Sequence, residues 1–464
     1  MTRRSPTHAR GASSSRINTF AVALVVISIF TPSIESVVGG TFIGFVDDAI
    51  ALSLGVGVPL GAVLQGRGLR AIPGGWAFAV FIIMGIFSSV ANGVPTEHAL
   101  EAVLLAVKMP LLAFGIAQLD WSETDMRKIA RLGVFLGLFV GLFVLVNGLV
   151  GRIWATVLSG QLNYVDYRYG LLSLQGPFSH PLVLGNFAAI LVVMILSTRV
   201  LLPQIRWTRV ALVAVCASVL FSFRRTAIAG AIAGATAALP TKYRGRAVLT
   251  FVILVPVVLL LLLDEIIATI QTTVFAYVEG AASAARSVLT IDSMHVANEH
   301  FPLGAGFARF GSYLASVHYS PEYVERGYPA IWGLGYEPGT GMFLTDTQWP
   351  AIIGESGWIG GAFFAIFLIC ILLQARRLAS AQAVEDVWLG RVVIGVLIHL
   401  AIASLAVPVF TSTPVAPMFY MLVGCLGSRT ASLAALKRPR LSTRPERVRT
   451  SVPYKSRNGL ARED

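Results

Sequence analysis

Apolar residues in this chain fall in long runs, without the strict alternation of strands or the one-sided stripe of a surface helix. A membrane span needs about 20 mostly apolar residues. Twelve stretches approach that length: 18–34, 46–64, 72–90, 98–118, 128–150, 181–198, 208–223, 225–240, 246–268, 348–374, 389–409 and 413–428. Two of them, 208–223 and 225–240, are short and can also be read as one hairpin that barely crosses. The expected fold is all-α, a polytopic membrane helix bundle of about 12 transmembrane helices with a large extracytoplasmic loop.

The polar connections fall into two sets. "QGRGLR" (65–70), "DMRKIAR" (125–131), "STRVLLPQIRWTR" (197–209), "TKYRGR" (241–246) and "QARRLAS" (374–380) are basic. The segments 35–47, 91–97, 151–180, 269–347 and 410–412 carry little excess of Lys or Arg. The two sets alternate, and both termini go with the basic set, so the positive-inside rule predicts cytoplasmic termini. The organisation expected is a basic N-terminal arm (1–17), helices 1–9 (18–268), the extracytoplasmic loop (269–347), helices 10–12 (348–428) and a basic, disordered cytoplasmic tail (429–464). The first apolar run lacks a convincing small-residue cleavage site and reads as a retained helix.

Composition agrees with a membrane class: of 464 residues, 55% are hydrophobic and 13% charged, and the mean hydropathy is +0.74. The net charge of +12 sits almost wholly at the two ends. It reads as flanks beside a bilayer, not as a nucleic-acid surface. Cys216, Cys370 and Cys425 fall inside apolar runs and form neither a metal spacing nor a disulfide framework.

The predicted outer side carries unusual chemistry. The loop 269–347 is too long for a simple connector. Its first half reads as helix to about His300, ended by Pro302, Gly304 and Gly306. Its second half is aromatic, with Tyr313, Tyr319, Tyr323, Tyr328, Trp332 and Tyr336. These read either as an interfacial belt or as a surface for sugars or headgroups. Asp292, His295 and Glu299 share one helix face, a conceivable divalent-ion site but also a common solvated face. "LFSFRRTAIAGA" puts Arg224 and Arg225 at the outer junction of two spans, where positive charge is disfavoured. They snorkel to headgroups, or they hold an anion such as diphosphate in bidentate fashion. A third polar cluster holds Arg168, His180 and Asn186; within the spans, Lys108 and His399 are either relays or buried partners.

"FRRTAIAG", "RSVLTIDSMHVANEHFPLGAGFARFG" and "DTQWPAIIGESGWIGG" resemble three successive blocks of the O-antigen ligase and O-antigen polymerase family. These are bacterial membrane glycosyltransferases that use undecaprenyl-diphosphate-linked glycans. Pro302, Gly304 and Gly306 are similar to the second block, and Gly357 and Gly360 to the third. The chain departs from the ligase pattern at Asp346, where those ligases have histidine; some polymerases of the family resemble it in having an acidic residue there.

The resemblance implies a GT-C-like fold in a bacterial cytoplasmic (inner) membrane. It implies inverting, metal-independent transfer of a glycan from undecaprenyl diphosphate to a sugar hydroxyl, without cofactors. Polymerase of a surface polysaccharide is favoured over ligase, and a lipid-linked oligosaccharide flippase is the rival from another class. Arg224, Arg225 and Arg286 would hold the diphosphate. Asp346, with Glu355 second, would accept the hydroxyl proton. Arg168, His180, His295, Arg309 and Tyr336 are candidates for acceptor or sugar contacts. Implied partners are the lipid-linked glycan, a polysaccharide acceptor and the lipid bilayer, with a chain-length regulator or flippase as candidate protein partners and no nucleic acid.

Overall fold

The structure, a computed structural model, describes residues 6–39, 41–159, 166–168, 170–198, 201–202, 206–240, 285–337, 340–341 and 343–437. The ninth expected span, 246–268, lies outside the described residues, as do the start of the loop and most of the tail.

The other eleven apolar windows are helical. In chain order they form α1 (Pro6–Val38), α2 (Thr41–Gly44), α3 (Val46–Leu52), a π turn (Ser53–Gly57), α4 (Val58–Leu64), α5 (Gly75–Ala91), α6 (Thr96–Ala117), α7 (Glu123–Val150) and α8 (Arg152–Ser159). A two-residue β-ribbon, β1 (Tyr167–Arg168) with β2 (Leu171–Leu172), precedes α9 (Pro181–Thr198), α10 (Trp207–Phe221) and α11 (Arg225–Ala238). The loop contributes α12 (Ala285–Glu299), α13 (Tyr313–Val317) and α14 (Pro321–Glu325), and the chain continues as α15 (Gln348–Ala379), α16 (Val384–Ala403) and α17 (Val415–Lys437). Among the described residues, seven helical stretches, Ser15–Val38, Val46–Leu64, α6, α7, α9, α15 and α16, are long and apolar enough to cross a membrane. This is an all-α, multi-pass membrane protein.

Burial orders the bundle. α9 is apolar on all sides and has 83% of its apolar window buried, against 28% for α1, so α9 is central and α1 peripheral. α10 and α11 are too short for a full span and do not form a simple hairpin: α10 packs on α7 and α9, α11 on α9 and α16. Small residues make the second contact. A Cβ added at Gly234 would lie 2.4 Å from the carbonyl oxygen of Gly395, so the α11 and α16 backbones touch.

Polar contacts sort the connections into two ends. At one, Arg70 pairs with Asp120, Arg127 with Glu385 (2.7 Å) and Arg429 with Asp386 (2.6 Å), while Asn18 donates to Asp125 (2.9 Å). Two of the basic connections, 65–70 and 125–131, lie there with the N-terminal part of α1 and the C-terminal part of α17. At the other, Asn92 meets His300 (2.8 Å), His98 stacks on His318 (3.7 Å between ring centres), and the Gln348 N–H donates to Ser404 (3.1 Å).

Candidate functional site

α15 is broken. Gly357 has φ 67° and ψ −175°, outside the helical region, and divides α15 after Ser356. A helix interrupted among apolar neighbours leaves carbonyls that need donors. The glycine turn of the loop supplies them: Ala305 N–H donates to the Gly354 carbonyl (2.8 Å) and Gly306 N–H to that of Glu355 (2.9 Å). Gly304 (φ 81°) and Gly306 (φ 98°) take left-handed backbone. A Cβ on Gly304 would lie 2.4 Å from the Gly357 nitrogen, so only glycine fits. α5 clasps the turn from the other side: Ser88 Oγ (2.6 Å) and Asn92 Nδ2 (2.8 Å) donate to the Gly304 carbonyl, and Phe307 N–H donates to Ser89 Oγ (2.9 Å). The glycine turn is therefore packed between α5 and α15.

This packing orients Glu355. Its Oε1 accepts from the N–H groups of Arg309 (3.0 Å) and Phe310 (3.2 Å) and from Ser312 Oγ (2.6 Å). The side chain is only 4% exposed, and none of these donors is a cation. Glu355 lines a cavity of about 640 Å³ together with Ser312, Thr347, Gln348, Asp47 and Lys108; Phe78, Phe81, Phe307, Phe364 and Phe410 supply much of its apolar wall. On the far wall Lys108 Nζ donates to Asp48 (2.6 Å) and Asp47 (3.2 Å). Lys108 is thus a paired intramembrane charge.

Asp346 does not line the cavity itself but stands in the chain between two residues that do, Thr345 and Thr347. Asp346 does not cap α15: the N-cap is Thr347, which makes no side-chain capping bond. Instead Arg286 Nε (2.9 Å) and Nη2 (2.5 Å) both donate to Asp346 Oδ2, and the guanidinium sits 5.7 Å from the centre of the Phe343 ring. The two residues expected to act as diphosphate holder and base are joined as an ion pair.

Arg224 belongs to another group. It pairs with Asp166, to which Arg168 Nε also comes within 3.5 Å. His180 lies in the same field; burial first, and then the Arg224 charge, lower its pKa from 6.5 to about 4, against an opposing effect of Asp166. Arg168, His180 and Arg224 are therefore brought together, while Arg225, the first residue of α11, is exposed.

The remaining candidates scatter. His295 is exposed, and its two helix-face neighbours are engaged elsewhere: Tyr328 OH donates to Asp292 (3.0 Å), and Glu299 pairs with Arg326. No cluster of three or more His, Cys, Asp or Glu able to hold a metal ion occurs among the described residues. Arg309 serves through its backbone N–H. Tyr336 is 66% exposed. The loop aromatics divide: Tyr323 and Tyr328 stack at 5.1 Å in a small buried core of the loop, whereas Tyr313, Trp332 and Tyr336 face outward.

Sequence reasoning singled out Lys108 as a relay or buried partner but missed its partners Asp47 and Asp48, and the part played by Ser312. A signal existed, since two aspartates at the start of one apolar run and a lysine inside another need each other once buried. No protein-family model matches this chain, and no curated protein matches its sequence.

Proposed function

We propose that this chain is a membrane glycosyltransferase of the O-antigen ligase and polymerase type, moving a glycan from undecaprenyl diphosphate to a sugar hydroxyl. The outer face of the bacterial cytoplasmic membrane is its place of work, with both termini inside and polymerase favoured over ligase. The observation that carries the reading is Glu355: a buried carboxylate without a cationic partner among the described residues, held by the glycine turn of the loop at the wall of a cavity, with Asp346 of the Arg286–Asp346 pair next in the chain to the lining residues Thr345 and Thr347. In this scheme Glu355 takes the hydroxyl proton as the sugar oxygen attacks the anomeric carbon. The diphosphate departs with the electrons of the broken C–O bond. Arg286 stabilises the charge that develops on it, and Asp346 positions that arginine. Relative to the order expected from sequence, the two carboxylates exchange roles.

The lipid-linked glycan profile of a strain lacking the protein tests the reading. Accumulation of single repeats supports a polymerase, and accumulation of long unattached chains supports a ligase. An unchanged profile removes both. Labelling a Ser316→Cys variant in intact cells tests the orientation; reaction only after lysis would overturn it.

The second reading, a flippase for lipid-linked oligosaccharides, is favoured by the broken helix and the intramembrane Lys108–Asp47–Asp48 group, both features of carriers. In reconstituted vesicles a flippase moves the lipid-linked glycan across the bilayer without changing its length, whereas the transferase lengthens it or passes it on.

A further inference from the structure

The charges lining the cavity say what it can accept. Glu35, Asp47 and Glu355 are acidic, and Lys108, the one basic side chain among the described lining residues, is committed to Asp47 and Asp48. Arg224, Arg286 and Arg168 lie outside that lining. A diphosphate placed inside would meet acidic side chains and no free cation among the described lining residues. Anion binding there would cost desolvation without a cation to offset it.

The polar groups suit hydroxyls instead. The loop holds Glu355 through Oε1, and the residue lines the cavity. Thr347, 6% exposed, and Gln348, 5% exposed, line the same space. Aromatic walls beside a few convergent polar groups, at about 640 Å³, match a small-molecule site in size and character.

Resting on the transferase reading above, we propose that this cavity is the acceptor subsite and that it takes a neutral or amino-bearing sugar while excluding uronates and phosphates. Carboxylates accept hydrogen bonds from sugar hydroxyls and attract an ammonium group, whereas a second anion is repelled. Donor and acceptor are thereby sorted by charge, with the diphosphate at the arginines and the acceptor inside.

The test uses the full chain in nanodiscs, with Cys216, Cys370 and Cys425 replaced by Ala and a single probe thiol at Ser412→Cys. Ala106→Cys, on another wall, replaces it if the first variant is not monodisperse. Reaction rates with a cationic and an anionic methanethiosulfonate are compared with those of a free thiol. The cation is expected to gain about tenfold or more over the anion. A chitosan or N-acetylchitotriose trisaccharide at tens of millimolar is expected to slow labelling, and a galacturonate trisaccharide or inorganic diphosphate to leave it unchanged. An anion advantage, protection by galacturonate or diphosphate, or protection by no sugar overturns the proposal. These readouts need no turnover. Sugar protection in a protein whose deletion leaves the lipid-linked profile unchanged would therefore keep the subsite and refute the transferase.

Discussion

The two ends of the bundle use the same residue types in opposite ways. At the basic end Asp125, Glu385 and Asp386 are almost wholly buried, and each has a cation beside it: Lys128, Arg127 and Arg429 respectively. At the other end Glu355 is equally buried but is held by two backbone N–H groups and a serine, while the arginines sit apart on carboxylates that are part exposed. A buried carboxylate closed by a cation ties helices together. A buried carboxyl aimed by neutral donors at a cavity is left without a cation to lock it and is open to other chemistry. The first arrangement is a clasp, the second a site.

The largest expected effect separates the two. Glu355→Gln retains an acceptor for the Arg309, Phe310 and Ser312 donors but removes the charge. It should lose about a hundred-fold or more in turnover with protein level and melting unchanged. Glu355→Ala should lose the loop anchor as well, seen as a lower melting temperature. Near-normal turnover of the Gln variant would make Glu355 a clasp like the others.

Arg429→Ala tests the opposite end. It leaves Asp386, 1% exposed, with an uncompensated charge, and removing one partner of a buried pair costs about 3 kcal/mol or more. Melting in detergent should fall accordingly, while turnover per folded molecule stays normal.

A smaller effect is expected for Asp346→Asn. The amide oxygen still receives the Arg286 guanidinium, so turnover should drop severalfold, mainly through a raised donor KM. A loss equal to that of Glu355→Gln would return the proton-accepting role to Asp346.

The smallest effect concerns pH. With its pKa lowered from 6.5 to about 4, folded His180 stays neutral where the unfolded chain takes up a proton. Its contribution is complete above about 6.5 and is lost as pH falls toward 4. His180→Asn should flatten that part of a melting-versus-pH curve; an unchanged slope would place the acid sensitivity elsewhere.

Local chemistry determined much of this protein. Apolar runs of span length can satisfy their backbone in lipid only as helices, so the windows located the helices. The basic connections carried the division into two ends, because charge next to a bilayer is a property of short segments. The Pro302–Gly304–Gly306 stretch announced a backbone that must come close to something. What it approaches was decided by tertiary structure alone. The break at Gly357 is filled by a turn more than fifty residues earlier in the chain, and nothing in either segment names the other. The same holds for the roles of the carboxylates. Asp346, two residues before α15, and Glu355, within it, stand nine residues apart. One meets a guanidinium from α12, and the other meets the loop and a cavity. Their functions differ because burial and partners come from distant parts of the chain, which no local pattern of residues encodes.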